Sequence, residues 1–307
     1  MELVSCQRIW DRGNHNAFTD LKQFNGCLYT VFREGAEHVS PDGALRLLRS
    51  VDLGEHWHSV ACFRSDSADL RDGKLLVVDN RLWLFGAAAM HDKTPLQTLM
   101  WCSDDGDNWS PPMNVGERGY WLWGLSVADD AVYGVGYRAG ADGDVRLYKS
   151  ELPQPQAPLS FQPLVAPLQA DGYVNESSLL FEQQQALCLL RRDPVWDKQQ
   201  TALLGHASYP FHQWHWFELD KRIGGPAMVR VGQRLLAIVR LYEQRVRTAL
   251  VEIDISSQTI DEILTLPSGG DTSYAGIVLQ GQQLLVSYYS SHEGKTAIYF
   301  ARIDVSE

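Results

Sequence analysis

The sequence predicts an all-β fold: a six-bladed β-propeller of four-stranded antiparallel blades, occupying residues 1–307 as a single domain. Three observations predict it. A short unit recurs six times, with a polar start, an apolar run, a tight polar turn and two further apolar runs. The turns, at Asn25-Gly26, Asp79-Asn80, Asp129-Asp130, Gln183-Gln184, Gly232-Gln233 and Gly281-Gln282, recur roughly every 50 residues. That is a blade period, because one small sheet must cover both of its faces with neighbouring sheets. Finally, the sixth unit stops at Asp304 with three runs, while an unclaimed run at residues 3–10 precedes the first unit. The N-terminal strand is therefore expected to close the last blade, which removes an exposed sheet edge.

Aligned on the turns, first strands fall on Phe18-Thr19-Asp20-Leu21, Leu75-Leu76-Val77-Val78, Leu122-Trp123-Gly124-Leu125, Leu179-Leu180-Phe181, Met228-Val229-Arg230 and Gly276-Ile277-Val278-Leu279. Second strands follow directly, from Cys27-Leu28-Tyr29 in the first unit to Leu284-Leu285-Val286 in the sixth. Third strands end near Ser50, Cys102, Lys149, His206, Ile253 and Arg302, and fourth strands include residues 57–63 and 214–219. Leu152-Pro153-Gln154-Pro155-Gln156-Ala157-Pro158 reads as a long edge loop.

Hydrophobic residues make up 45% of the chain and include ten Trp, twelve Tyr and ten Phe, ample for a packed core. A net charge of -11 argues against nucleic acid and anionic membranes as partners. It leaves a small anionic ligand open, since local arginines decide that. No basic start precedes an apolar segment at the N-terminus and no long apolar window occurs, so the expected location is cytoplasmic. Five scattered cysteines, mostly within apolar runs, suit buried free thiols better than a disulfide framework.

No cofactor or metal is expected. The sequence lacks a phosphate-cradling glycine loop and a nucleophile elbow, and Gly224-Gly225-Pro226 fits a strand start that clears space in a pocket. His56-Trp57-His58 and His212-Gln213-Trp214-His215 have metal-like spacing but sit at the starts of outer strands, as surface histidines do.

In an up-and-down blade the first strand begins, and the second ends, on one face of the ring. Function is expected at those two sets of positions. Phe18, Asp72, Leu122, Glu176, Gly225 and Tyr274 stand at matched depth before the turns, and three of the six are ionisable or phenolic. The second strands end in Arg33-Glu34 with His38, Met90-His91, Tyr137-Arg138, Arg191-Arg192, Arg240-Leu241-Tyr242, and Tyr288-Tyr289 with His292-Glu293. Four of six blades thus place arginine on that rim. Trp121 and Trp123 offer flat aromatic faces on which a ligand could stack, although Trp123 also fits a core position, and Asp20 lies deeper, as a channel-lining or hydrogen-bonded structural carboxylate would.

Two segments resemble the aspartate box of sialidases, Ser-x-Asp-x-Gly-x-Thr-Trp. Ser50-Val51-Asp52-Leu53-Gly54-Glu55-His56-Trp57 keeps Ser, Asp, Gly and Trp, and Cys102-Ser103-Asp104-Asp105-Gly106-Asp107-Asn108-Trp109 aligns with Cys102 in the Ser position and keeps Asp, Gly and Trp. Such boxes are structural turns. A second set resembles the sialidase active site: Glu176 with Arg191 fifteen residues on, Arg240 one blade later, Tyr274 at the start of the last blade and Glu293 after it. The chain departs from that pattern where sialidases open their first blade with a carboxylate-binding arginine; Asn16 occupies the slot here. Asparagine has neither the permanent charge nor the planar fork that binds a carboxylate. Either Arg33 or Arg71 supplies the missing charge, or the substrate is not a sialic acid.

The resemblance implies a divergent sialidase-superfamily member: a retaining exo-glycosidase acting on an acidic terminal sugar, with Tyr274 as nucleophile and Glu176 as its base. The leaving oxygen needs an acid, for which Asp72 comes first and Asp42 and His38 in the first-blade loop compete. Taken singly, Glu176 also reads as a strand-start cap and Tyr274 as an interblade packing residue. Two other readings stand beside this one: a carboxylate-only, arabinanase-like glycosidase using Asp72 and Glu176 with Asp20 assisting, and a non-catalytic glycan-binding propeller.

Overall fold

Tight hairpins set the blade pattern. Phe24 pairs with Cys27, Val78 with Arg81, Glu182 with Gln185, Val231 with Arg234 and Gln280 with Gln283, so each of these turns has two residues. Left-handed backbone is the reason for their composition: φ is 48° at Asn25, 78° at Gly26, 55° at Asp79, 54° at Asn80 and 58° at Gly232. Such turns match the twist of paired strands and favour Asn, Asp and Gly. The computed structural model describes residues 1–128, 131–140, 142–154 and 158–306. The Asp129-Asp130 turn and residues 155–157 of the expected edge loop lie outside the described residues.

Among the described residues there is no helix, and all strands belong to six four-stranded antiparallel sheets. After β1 (Glu2–Trp10), the first blade comprises β2 (His15–Phe24), β3 (Cys27–Gly35), β4 (Ala44–Ser50) and β5 (His58–Phe63). The second holds β6 (Ala68–Val78), β7 (Arg81–Met90), β8 (Gln97–Ser103) and β9 (Met113–Val115). The third contains β10 (Trp121–Ala128), β11 (Ala131–Tyr137), β12 (Val145–Glu151) and β13 (Gln162–Gln169). Next come β14 (Tyr173–Glu182), β15 (Gln185–Asp193), β16 (Leu203–Ser208) and β17 (His215–Glu218), then β18 (Ile223–Val231), β19 (Arg234–Leu241), β20 (Arg247–Asp254) and β21 (Thr259–Thr265). β22 (Thr272–Gln280), β23 (Gln283–Ser290) and β24 (Ala297–Asp304) form the sixth blade, whose fourth strand is β1. The N-terminal strand thus closes the ring as expected: Leu3 pairs with Ile303 and Cys6 with Ala301. First strands pack side by side around the axis, β22 against β2 included.

The core lies between blades. Phe32, Tyr29, Trp83, Phe85, Tyr148, Tyr288 and Phe300 are almost wholly excluded from solvent. The cysteines are all free, but only Cys188 is fully buried; the other four are half-buried.

The two box-like turns have related geometry, with one correction. Ser50 Oγ donates to Asp52 Oδ1 at 2.8 Å, the Gly54 amide donates to Ser50 Oγ at 2.7 Å and the His56 amide to Asp52 Oδ1 at 2.9 Å. In the second turn those positions are held by Ser103 and Asp105, not by Cys102 and Asp104. Ser103 Oγ donates to Asp105 Oδ1 at 3.0 Å, and Asp105 Oδ1 accepts the Asn108 amide at 2.7 Å. The second turn is one residue shorter, which a fixed-spacing alignment misassigns.

One irregularity repeats in all six blades. Near its start each first strand carries a β-bulge, with register shifts at Ala17/Asp20, Arg71/Lys74, Leu122/Gly124, Val174/Ser177, Gly224/Ala227 and Ser273/Gly276. Bulges re-aim side chains. Four of these bulges contain a residue with left-handed backbone: Phe18 (φ 62°), Asp72 (51°), Gly225 (51°) and Tyr274 (52°). For Phe, Asp and Tyr this conformation costs of order 1–3 kcal/mol each, and such strain collects where a site needs a particular side-chain direction.

Candidate active site

The bulge of β22 turns Tyr274 into the mouth of the ring, where its hydroxyl donates to Glu176 Oε1 at 2.6 Å. Glu176 arrives from the bulge of β14, 98 residues away in sequence. Its other oxygen accepts Arg191 Nη1 at 2.7 Å and the Gly225 amide at 3.1 Å. Arg191 Nη1 also donates to the Tyr274 hydroxyl oxygen at 2.8 Å, and its Nη2 to Asp193 Oδ1 at 2.8 Å. All three side chains are largely buried. Burial, reinforced by the charge of Glu176, pushes the Tyr274 phenol well above its usual range, so the hydroxyl rests protonated. Its proton already lies on the path to a carboxylate.

Aromatic rings fix the phenol. Phe18, itself on a bulge, meets the Tyr274 ring edge-on at 5.1 Å, Trp123 does so at 5.9 Å, and Arg240 Cζ lies 5.3 Å from its centroid. Tyr289 lies 5.9 Å away, and Gly225 packs close as well. A Cβ there would stand 2.9 Å from the Tyr274 ring, so Gly225→Ala is expected to displace the phenol. With a left-handed φ besides, the substitution should cost about 1–3 kcal/mol of stability and lower kcat more than it raises KM. A thermal melt beside steady-state kinetics measures both.

Asp72 completes the site from the second blade. Its carboxyl is buried, and its Oδ2 lies 3.8 Å from Arg71 Nε. Burial dominates over the Arg71 charge, and with Glu176 nearby it pushes the carboxyl up to about 6. Asp72, Glu176, Tyr274, Arg71, Arg191 and Trp121 line one cavity of about 250 Å³. Tyr137 stacks on Trp121 at 5.4 Å in its wall, and the Trp121 indole N–H is buried without a partner. Below it, Asp20, Lys74 and Trp123 line the central channel. Asp20 is fixed there by accepting the Leu75 amide at 2.7 Å.

No protein-family model matches the sequence, and no curated protein matches it. Solved structures do. A protein of unknown function from Dyadobacter fermentans superposes with a TM-score of 0.81 at 17% identity over 99% of both chains. The Penicillium chrysogenum α-L-arabinanase, complexed with arabinobiose, gives 0.74 at 13% identity over 100% of this chain and 99% of its own. Trypanosoma rangeli sialidase, in complex with the inhibitor DANA, gives 0.71 at 12% identity over 99% of this chain and 58% of its own. The chain shares the six-bladed propeller fold of sialidases and arabinanases.

Within that propeller the expected site residues divide. Tyr274, Glu176, Asp72, Arg191, Arg71, His38 and Trp121 line one cavity. Arg33 does not reach it: wholly buried, it donates to Asp69 Oδ1 at 2.8 Å and to the Glu37 and Ser40 carbonyls, anchoring the first-blade loop. Arg33 therefore does not supply the missing charge. Asn16 is buried too, its amide donating to the Gly13 and Thr296 carbonyls. Asp42 caps the Ala36 amide from an exposed position away from the cavity lining, and a hydrogen bond with Ser40, followed by that with the amide, holds its carboxyl below the usual range. Glu293 binds Arg8 and the Tyr299 hydroxyl toward the outer strands of the sixth blade. Arg240 stays behind Tyr274, occupied by the Thr272 carbonyl, Asp271 and the Tyr289 hydroxyl.

Partners, not register, divide the arginines. Arg33, Arg191 and Arg240 stand seven residues past their hairpin turns on second strands that pair without interruption, so they share the face turned to the next blade. Asp69 holds Arg33 and the Thr272 carbonyl holds Arg240, whereas Arg191 is held at the cavity by Glu176. Sequence reading placed Tyr137 on the functional rim without a specific role and assigned none to Asn175, Asp193, His15 or Asp271. Asp193 had a usable signal, since it follows Arg191 by two and so shares its face. His15 and Asp271, 256 residues apart, had none.

Proposed function

We propose that this chain is a retaining exo-glycosidase acting on an acidic terminal sugar, with Tyr274 as nucleophile, Glu176 as its base and Asp72 as the acid. The observation that carries the reading is the Tyr274 hydroxyl held 2.6 Å from Glu176 Oε1 in a cavity that also contains Asp72. As the phenol oxygen attacks the anomeric carbon, its proton passes to Glu176, and Asp72, neutral below about pH 6, protonates the departing oxygen. Water then cleaves the glycosyl–tyrosine bond, with Asp72 as base, so configuration at the anomeric carbon is retained. A phenol suits a substrate that carries its own carboxylate, since an anionic nucleophile would be repelled by it.

Arg71 is the residue proposed to read that carboxylate. It lines the cavity, and although its Nη1 holds the His38 carbonyl and Asp69, its Nε is buried with no hydrogen-bond partner. Arg71→Lys is expected to raise KM about tenfold for an acidic aryl glycoside while leaving a neutral one within about twofold, as loss of a planar fork predicts. The test of function is a panel of acidic and neutral aryl glycosides, with product anomers followed by NMR. Retention with preference for acidic glycosides supports the reading. Turnover confined to arabinosides moves it to a carboxylate pair, a mechanism that the elevated Asp72 favours. Binding without release makes the chain a glycan-binding propeller.

A further inference from the structure

At the seam where the ring closes, two imidazoles and a carboxylate converge. His15 opens β2, His38 stands in the loop after β3, and Asp271 immediately precedes β22, so the first and sixth blades both contribute. His15 Nε2 lies 3.3 Å and His38 Nδ1 3.0 Å from the same atom, Asp271 Oδ2, and all three ligand atoms lie within 4.8 Å of one another. We propose that these three residues bind a first-row transition-metal dication of the zinc class.

The separations fit. Ligands at about 2.0–2.1 Å from a tetrahedral zinc stand about 3.3 Å from one another, close to both separations measured to Asp271 Oδ2. Two nitrogen donors and one oxygen favour such an ion over calcium or magnesium, which take oxygen shells. The carboxylate is already oriented: Tyr289 donates to its other oxygen at 2.6 Å and Arg240 Nη2 at 3.3 Å, leaving Oδ2 for the imidazole side. Arg240 reduces the attraction for a cation, and the outer hydrogen bonds it shares with Tyr289 fix the ligand in return. The His38 side chain is 53% exposed and that of Asp271 29% exposed, so further coordination positions open to solvent at the mouth. His38 also lines the cavity that holds Tyr274 and Glu176. An ion here ties three chain segments together across the seam and pins the first-blade loop beside the active site.

The competing account is a hydrogen-bonded cluster with no ion. The full chain, treated with EDTA and dialysed, is titrated with zinc alone, and bound metal is counted by mass spectrometry. One zinc per chain, a melting temperature higher by roughly 5 °C at a hundredfold excess over Kd, and the visible bands of four-coordinate cobalt in the cobalt form support the site. His15→Gln/His38→Gln should lose all three responses while still melting cooperatively without metal. No stoichiometric uptake, or equal uptake by the double variant, overturns it; the latter places the ion elsewhere, for example at the stacked His206 and His215 pair. Neither outcome depends on turnover, so failure here leaves the glycosidase reading standing.

Discussion

Tyr274→Phe is expected to lower kcat by at least ~10³-fold while leaving the ring folded, because the substitution removes the oxygen proposed as nucleophile and keeps the aromatic ring. The ring keeps its edge contacts with Phe18 and Trp123. Glu176 keeps Arg191 and the Gly225 amide, so no buried charge is stranded. The hydroxyl's two hydrogen bonds, donated to Glu176 and accepted from Arg191, are lost; this costs about 2–4 kcal/mol, and relief from burying the hydroxyl offsets part of it. Kinetics and a melt on one preparation separate the two effects. An active Tyr274→Phe enzyme would remove the phenol from the mechanism and point to Asp72 with Glu176.

The second large effect has opposite signs in activity and stability. Asp72→Asn is expected to reduce kcat by ~10²–10⁴-fold on substrates with a poor leaving group, since the amide cannot donate a proton in the required sense. The loss should shrink for an activated aryl leaving group. Stability should rise. The Asp72 carboxyl is pushed up from 3.8 to about 6 by burial, so the folded state prefers the protonated form. That contribution is fully present below about pH 4 and is lost as pH rises through about 6. The difference amounts to about 3 kcal/mol. At pH 7–8 the Asn variant should therefore melt higher, with the advantage fading below about pH 4. Asn tolerates left-handed backbone as readily as Asp, and Arg71 retains Asp69. In the wild type, kcat/KM should fall as pH rises through about 6, as an acid's profile does.

The fold was legible because its determinants are local. A two-residue turn such as Asn25-Gly26 fixes a hairpin, and a hairpin repeated at blade spacing leaves few arrangements that bury both sheet faces. Glu176 and Arg191 were legible as a pair because they lie across a single hairpin, where pairing register sets which residues meet. Tyr274 with Glu176 required the ring itself, and the recurring unit supplied it. Bulges were not legible. An extra residue near the start of a first strand leaves no mark in an apolar pattern, yet it sets the left-handed backbone of Asp72 and Tyr274. Nor were the acceptors Asp69 and the Thr272 carbonyl, which hold Arg33 and Arg240 away from the cavity. The shortened turn at Ser103 escaped for a similar reason, since a fixed spacing cannot register a deletion. His15 and Asp271 meet only because the last blade closes on the first.

The central claim, that the phenol of Tyr274 bonds covalently to the sugar, is tested most directly by intercepting that bond. A fluorinated glycosyl fluoride of whichever sugar is turned over slows both steps by disfavouring positive charge at the anomeric carbon, so a glycosyl-enzyme accumulates. Intact-mass and peptide-level mass spectrometry should then find one glycosyl group per chain on the peptide containing Tyr274. An adduct on Glu176 or Asp72, or inversion of the anomeric centre with no adduct, would contradict the account.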